Sequence, residues 1–275
     1  MTKDFILKNA TDEELANAVE ENLHAMFRSM VNVLHGEIEE TTKLGRYHVT
    51  PLSPIFKGVF RANFAADEAD STIQDTVEWF KQRNAPFFFW WTGQGTQPVD
   101  LGERLVAHGF SLFEKDAPAM ATDIDKLNWD NPRPSELRLK PIENDDQLLQ
   151  WKQVFLDAFS IPEFAGQAWV DATRAVGIGE TPWQLLLGTI NGLAVCCGLL
   201  YCGAGVAGLI GLGTIPEYRR KGIGSAMQLE RLRIARQLGY QYAVLFASEM
   251  GYSPYLKLGF KDIGRRISRY FWRAD

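Results

Sequence analysis

Residues 193–213 form a run of 21 positions without one charged side chain. That length is about what a membrane-spanning helix needs. Six glycines interrupt the run (Gly198, Gly203, Gly205, Gly208, Gly211 and Gly213), and each costs about 1 kcal/mol relative to alanine inside a helix. Gly203-Ala204-Gly205 separates two short apolar runs, LAVCCGLLY and VAGLIGLGT, which is turn chemistry between strands. The segment therefore predicts a buried β-hairpin and no membrane crossing.

The same run holds all three cysteines, Cys196, Cys197 and Cys202. Three thiols within seven residues cannot cross-link a chain of this size, and no second pair completes a zinc pattern. They read as buried apolar thiols of a reducing, cytoplasmic protein without a metal. The opening MTKDFILKNATDEE lacks the apolar run of a secretory signal. The net charge of −5 argues against nucleic acid or an anionic membrane as a partner.

At 275 residues the chain suggests about two domains. Asn131-Pro132-Arg133-Pro134-Ser135 is the best boundary, because two prolines within four residues suit neither helix nor strand. Charge changes sign there. Residues 1–130 hold 12 basic and 21 acidic side chains, whereas residues 131–275 hold 17 and 13. The basic half is the one expected to receive an anionic ligand. The expected domains are thus 1–130 and 131–275.

In the first domain, residues 11–34 predict a helix, with Thr11 and Glu14 spaced as a capping box. Strands are expected at 46–50, 56–64, 86–91 and 120–124, and helices at 71–83 and 100–108. In the second, strands at 137–141 and 183–189 flank helices at 145–159 and 164–175. The hairpin follows, then a helix at 222–238 closed by Gly239, a strand at 242–246, a short helix at 253–258 with Pro254 first, and a last strand through Trp272. The order is α+β: a mixed sheet flanked by helices, with one β-α-β crossover in the second half.

Chemistry concentrates in Thr214-Ile215-Pro216-Glu217-Tyr218-Arg219-Arg220-Lys221-Gly222-Ile223-Gly224-Ser225. A strand ends, three basic residues follow, and Gly-x-Gly opens a helix. A helix start exposes unpaired N–H groups and the positive dipole end, and glycine lets a phosphate approach the backbone. The segment is an anion cradle. It is neither a nucleotide P-loop, which needs GxxxxGK[ST], nor the dinucleotide fingerprint, since Met227 stands where a third glycine would be.

Arg219-Arg220-Lys221-Gly222-Ile223-Gly224 resembles the Arg/Gln-x-x-Gly-x-Gly/Ala signature of the GNAT superfamily of acetyl-CoA-dependent N-acetyltransferases. Tyr255-Leu256-Lys257-Leu258-Gly259-Phe260 is similar to a second feature of that family, a tyrosine four residues before Gly-Phe. The resemblance covers residues 135–275 and implies a GNAT-like central mixed sheet. By the same resemblance, the backbone of Arg220, Lys221, Gly222, Ile223, Gly224 and Ser225, with Arg219 beside them, binds the pyrophosphate of acetyl-CoA. Leu212, Gly213 and Thr214 pair with its pantetheine arm. The strands at 209–214 and 242–246 splay around the thioester, and Tyr255 is the general acid.

Two departures stand out. The strand VAGLIGLGT has no glutamate where many members carry a base, and all four histidines (His24, His35, His48 and His108) lie in the first half. Glu249 is the candidate base, with water or no base at all as alternatives. Ser248 stands where many members have an asparagine near the cofactor.

Leu105-Val106-Ala107-His108-Gly109-Phe110 looks like a worn copy of the second motif. The first half is therefore expected to be a degenerate GNAT-like domain without a cofactor site, or else another α/β domain. Trp90 and Trp91 are expected in its core. Acceptor binding is expected from the region Ile161 to Trp183, where Glu163, Asp171 and Glu180 suit a cationic amine. The implied reaction is acetyl transfer to a primary amine of a small molecule. A non-catalytic acetyl-CoA-binding regulatory module and a protein lysine or N-terminal acetyltransferase remain as alternatives, and the oligomeric state is open.

Overall fold

The computed structural model describes residues 5–49, 56–127, 129–130 and 132–274. Thr50 and Asn131, which belong to the strand and linker expectations above, lie outside the described residues. The chain divides into two compact units, each discontinuous in sequence. One comprises Met1–Met26 with Ala119–Gly264, the other Phe27–Pro118 with Arg265–Asp275. The pair Pro132 and Pro134 lies within the larger of these.

Helix α1 (Asp12–Val33) starts on the expected box. Glu14 N donates to Thr11 Oγ1 at 3.2 Å and Thr11 N donates to the Glu14 carboxylate at 2.7 Å. In the smaller unit, β1 (Glu37–Glu40), β2 (Gly45–His48) and β3 (Lys57–Phe60) form an antiparallel meander. Helix α2 (Ala69–Gln82) crosses to β4 (Phe87–Gly93), which runs parallel to β3. Helix α3 (Leu101–Ala107) then leads into β5 (Ser111–Asp123).

Strand β1 was not expected, because Glu-Ile-Glu-Glu offers one apolar side chain. Cations make the strand tolerable: Arg83 meets Glu37 at 2.6 Å, Arg46 meets Glu39 at 2.8 Å and Arg28 meets Glu40 at 2.8 Å. Trp90 is fully buried among Phe80, Phe88 and Phe110, and Trp91 is buried on the opposite side of β4, so both tryptophans are core residues as expected.

In the larger unit the strands are ordered β5-β10-β9-β8-β7-β6. They are β6 (Leu137–Pro141), β7 (Trp183–Ile190), β8 (Leu193–Gly203), β9 (Val206–Thr214) and β10 (Tyr242–Phe246), with residues 119–123 of β5 at the edge. Helices α4 (Asp145–Phe159) and α5 (Glu163–Val176) follow β6, and α6 (Ile223–Gln237) connects β9 to β10 as a parallel crossover. The uncharged run is the predicted hairpin. Ala204 (φ 52°) and Gly205 (φ 78°) form its two-residue turn, the two positive φ values of a type I′ connection. Among the described residues no helix is long and apolar enough to cross a membrane.

Burial in the sheet pushes the Cys196 thiol up to about 12, and Cys197 is shifted up as well. Neutral, buried thiols are poor nucleophiles and poor metal ligands.

Helix α7 (Glu249–Leu258) begins four residues earlier than expected. Ser248 Oγ accepts from Gly251 N at 3.3 Å and caps it. Pro254 therefore sits inside the helix, where its missing N–H removes one helical hydrogen bond. Gly259 (φ 98°) ends α7, and β11 (Lys261–Arg273) carries the chain into the smaller unit, where its residues 267–273 pair antiparallel with β4.

Candidate active site

The site begins with a defect in the hairpin. Cys197 pairs with Gly213 and Leu199 with Ile210, so Gly211 and Leu212 on β9 oppose Gly198 alone on β8. This is a β-bulge, and Gly211 takes the positive φ of 59° that makes it possible. A bulge turns backbone groups out of the ladder. On the other edge of β9, only Ala207 and Gly208 pair with β10, opposite Ala243 and Val244. Residues 209–214 and 245–246 then diverge, as the resemblance implied. The freed edge of β9 carries Leu212, Gly213 and Thr214, the residues expected to meet a pantetheine arm.

After β9, a short 3₁₀ turn at Pro216–Tyr218 leads to the basic segment. Its three cations have different surroundings. Arg219 is half-buried: Nε donates to Thr214 O at 3.0 Å and Nη2 to Ala158 O at 2.8 Å. It ties the turn to the ends of β9 and α4. Arg220 and Lys221 are exposed, with Lys221 Nζ 4.8 Å from the Tyr218 ring centre. Arg220 (φ 60°) and Gly222 (φ 76°) are both left-handed, which coils the turn.

Helix α6 starts without a side-chain cap or a carboxylate in its first turn. The first helical bond of the following turn runs from Ala226 N to Gly222 O at 2.9 Å. The amides of Ile223, Gly224 and Ser225 are therefore open to an anion. Ile223 contributes backbone only, because its side chain belongs to the core.

The two glycines of the motif differ in cause. A Cβ on Gly222 would lie 2.5 Å from Pro132 O, and its φ is positive, so the fold itself demands glycine there. A Cβ on Gly224 would meet nothing nearer than Thr214 Oγ1 at 3.7 Å and Leu212 Cδ2 at 3.9 Å. The chain's own packing does not require that glycine, and its absent side chain leaves the helix start open to close approach of an anion. Gly222→Ala is expected to destabilise the protein by about 1–3 kcal/mol through strain and the Pro132 clash, measured by urea unfolding.

Tyr255 lies on α7, half-buried, its ring 5.7 Å from that of Phe260. A Cβ on Gly251 would come within 2.8 Å of Tyr255 Cε2, so Gly251 makes room for the ring. Burial raises the phenol pKa and the buried Arg231 charge partly opposes this. The phenol stays protonated at neutral pH, as a proton donor must. Ser248 caps α7, and Glu249 is an exposed carboxylate in the first turn, where the helix dipole favours it.

Behind the bulge, Phe155 lies 3.5 Å from where a Gly211 Cβ would be, and Ala158 and Phe159 press on Gly213. Of the expected acceptor carboxylates, Glu163 meets Lys152 Nζ at 2.7 Å and Asp171 accepts from Gln167 at 2.7 Å. Sequence reasoning missed Arg231. A charged residue in a helix reads as solvent-facing, yet Arg231 is fully buried beneath the bulge.

The sequence model of the Acetyltransferase (GNAT) family matches residues 123–260, half of the chain. Among solved structures, the chain is similar to a GCN5-related N-acetyltransferase from Kribbella flavida. The TM-score is 0.71 at 14% identity, over 94% of this chain and 96% of that one. It is similar to a functionally unknown conserved protein from Staphylococcus epidermidis, with TM-score 0.69 at 13% identity over 88% and 96%. A tandem GNAT protein from the clavulanic acid biosynthesis pathway gives TM-score 0.61 at 12% identity over 96% and 95%. At these identities the likeness is one of fold. No curated protein matches the chain significantly.

Proposed function

The chain belongs to the GNAT acetyltransferase family, and we propose on that premise that it transfers an acetyl group from acetyl-CoA to a primary amine of a small molecule. The observation that carries this reading is the junction of three features: the β9 bulge, the divergence of β9 from β10, and the uncapped start of α6. A pyrophosphate fits the amides of Ile223, Gly224 and Ser225, with Arg220 and Lys221 beside them. The free edge at Leu212, Gly213 and Thr214 suits the amides of a pantetheine arm, which would add as a strand.

In this reading the thioester carbonyl sits at the bulge. The neutral amine forms the C–N bond, the carbonyl electrons move to oxygen, and a bulge N–H stabilises the oxyanion. Collapse breaks the C–S bond, and Tyr255 gives its phenolic proton to the departing sulfur. Glu249 is the carboxylate available to take a proton from the acceptor, directly or through water. The free thiols, Cys196 and Cys197 buried and Cys202 half-buried, fit a reducing cytoplasm.

We read the smaller unit as transferase-like without a cofactor site. Like the larger unit it has a parallel crossover, β3-α2-β4, followed by a helix and Gly-Phe. Its counterpart of the thioester gap is closed by Phe60 stacked on Trp91 at 4.4 Å. Its helix α2 begins beside Asp67, Glu68 and Asp70, which repel phosphate.

Acetyl-CoA at a hundred times its Kd is expected to raise the Tm by about 5 °C or more. With a panel of small amines, free CoA thiol is expected to accumulate only when a matching amine is present. Stabilisation without thiol release for any amine would convert the reading to a binding module. Acetylated peptides in a proteome digest, with no small-molecule product, would convert it to a protein acetyltransferase.

A further inference from the structure

Arg231 stands in the middle of α6 with no part of its side chain exposed. Its Nη1 donates to Leu199 O at 2.8 Å and to Ile210 O at 2.9 Å, and Nη2 donates to the Gln228 side-chain oxygen. No carboxylate pairs with it among the described residues; the groups that feel its charge are Tyr255, Cys197 and Cys196. Burial pulls it down to about 10, so it remains a cation at neutral pH. A buried, unneutralised guanidinium is costly. For stability alone an apolar side chain would serve at this position.

The place of Arg231 explains why a cation is there. Leu199 and Ile210 are the facing pair at which the bulge begins. One nitrogen bonded to both carbonyls bridges β8 and β9 beside the bulge. Gly198, opposite the bulge, leaves the space: a Cβ there would lie 3.2 Å from Arg231 Cδ, Nε and Cζ. The Ile210 carbonyl is therefore held toward β8. In a planar trans peptide the N–H points opposite to the C=O. Fixing Ile210 O toward β8 directs the Gly211 N–H toward the gap between β9 and β10.

We propose that Arg231 is a positioning residue that holds the β9 bulge open through Leu199 O and Ile210 O, so that the Gly211 N–H faces the thioester carbonyl as an oxyanion donor. Gln228 orients the guanidinium, and Gly198 provides its room. The inference rests on the acetyl-transfer reading, but the geometry of the bulge is testable without it.

The test compares wild type with Arg231→Met and Arg231→Lys in the full chain. Methionine fills similar volume without a donor, and lysine keeps a donor. With an amine that the wild type acetylates, Arg231→Met is expected to lose kcat by about thirtyfold or more, with the KM for acetyl-CoA within about threefold and Arg231→Lys recovering part of the loss. An unchanged kcat overturns the proposal. So does a loss of kcat matched by an equal loss of acetyl-CoA affinity, which is what a merely structural role would give.

Hydrogen exchange of the peptide covering residues 207–214 supplies the second measurement. It is expected to quicken at least tenfold in Arg231→Met relative to wild type, with residues 242–246 unchanged; identical exchange overturns the proposal. If the wild type turns over no amine, the acetyl-transfer reading fails by itself, and exchange alone decides the role of Arg231 at the bulge. If Arg231→Met does not fold, Gly198→Ala, which presses on the guanidinium, replaces it in both measurements with the same expected directions.

Discussion

Tyr255→Phe is expected to lower kcat by about a hundredfold, the range of general-acid contributions, while the KM for acetyl-CoA moves by less than about twofold. The ring packs against Phe260 and over Gly251, and phenylalanine keeps both contacts. The change therefore removes only the hydroxyl. Stopped-flow or steady-state thiol release measures kcat, and titration of intrinsic fluorescence measures binding. A wild-type rate in Tyr255→Phe would remove the phenol from the mechanism. The pH profile adds a sign. Burial raises the phenol pKa, so ionisation of Tyr255 does not reduce the rate until strongly alkaline pH. An activity loss between pH 7 and 9 that persists in Tyr255→Phe therefore belongs to another group.

Gly224→Asp separates cofactor binding from folding. A Cβ at Gly224 meets only atoms at ordinary contact distance, and the backbone there is helical, so the fold tolerates a side chain. A carboxylate in the first turn even suits the helix dipole. It would occupy the place assigned to the pyrophosphate and repel it. The Kd for acetyl-CoA is expected to rise by about a hundredfold or more, since one buried like-charge contact costs several kcal/mol, while the Tm without ligand changes by less than about 2 °C. Isothermal titration and thermal unfolding check the two halves. Unchanged affinity would move the phosphate site away from α6. The contrast with Gly222→Ala is the internal control, because that substitution is expected to disturb the fold itself.

Much of the larger unit was legible in sequence because its signals are local. The cap at Thr11 and Glu14, the Gly203-Ala204-Gly205 turn and the basic Gly-x-Gly segment depend on residues within a few positions of one another. Each appears in the structure with the bonds or dihedrals its spacing implied. The start of α7 was misplaced because Pro254 is a strong local signal and the Ser248 cap a weaker one. Strand β1 was missed because its acidic side chains are stabilised by Arg28, Arg46 and Arg83, which are distant in sequence.

Local pattern was enough to read a basic Gly-x-Gly turn ahead of a long helix, an uncharged hairpin leading into it, and a tyrosine before Gly-Phe. Those are properties of short segments, and short-range sterics and capping dictate them. Long-range pairing set the division of the chain into two units, each discontinuous in sequence, because strands β5 and β11 find their partners across long sequence distances. The tertiary structure also decided that Arg231 lies buried against two carbonyls. A guanidinium can be placed there only because Gly198 and the extra residue on β9 open the ladder where α6 packs, and no periodicity in the sequence encodes that coincidence.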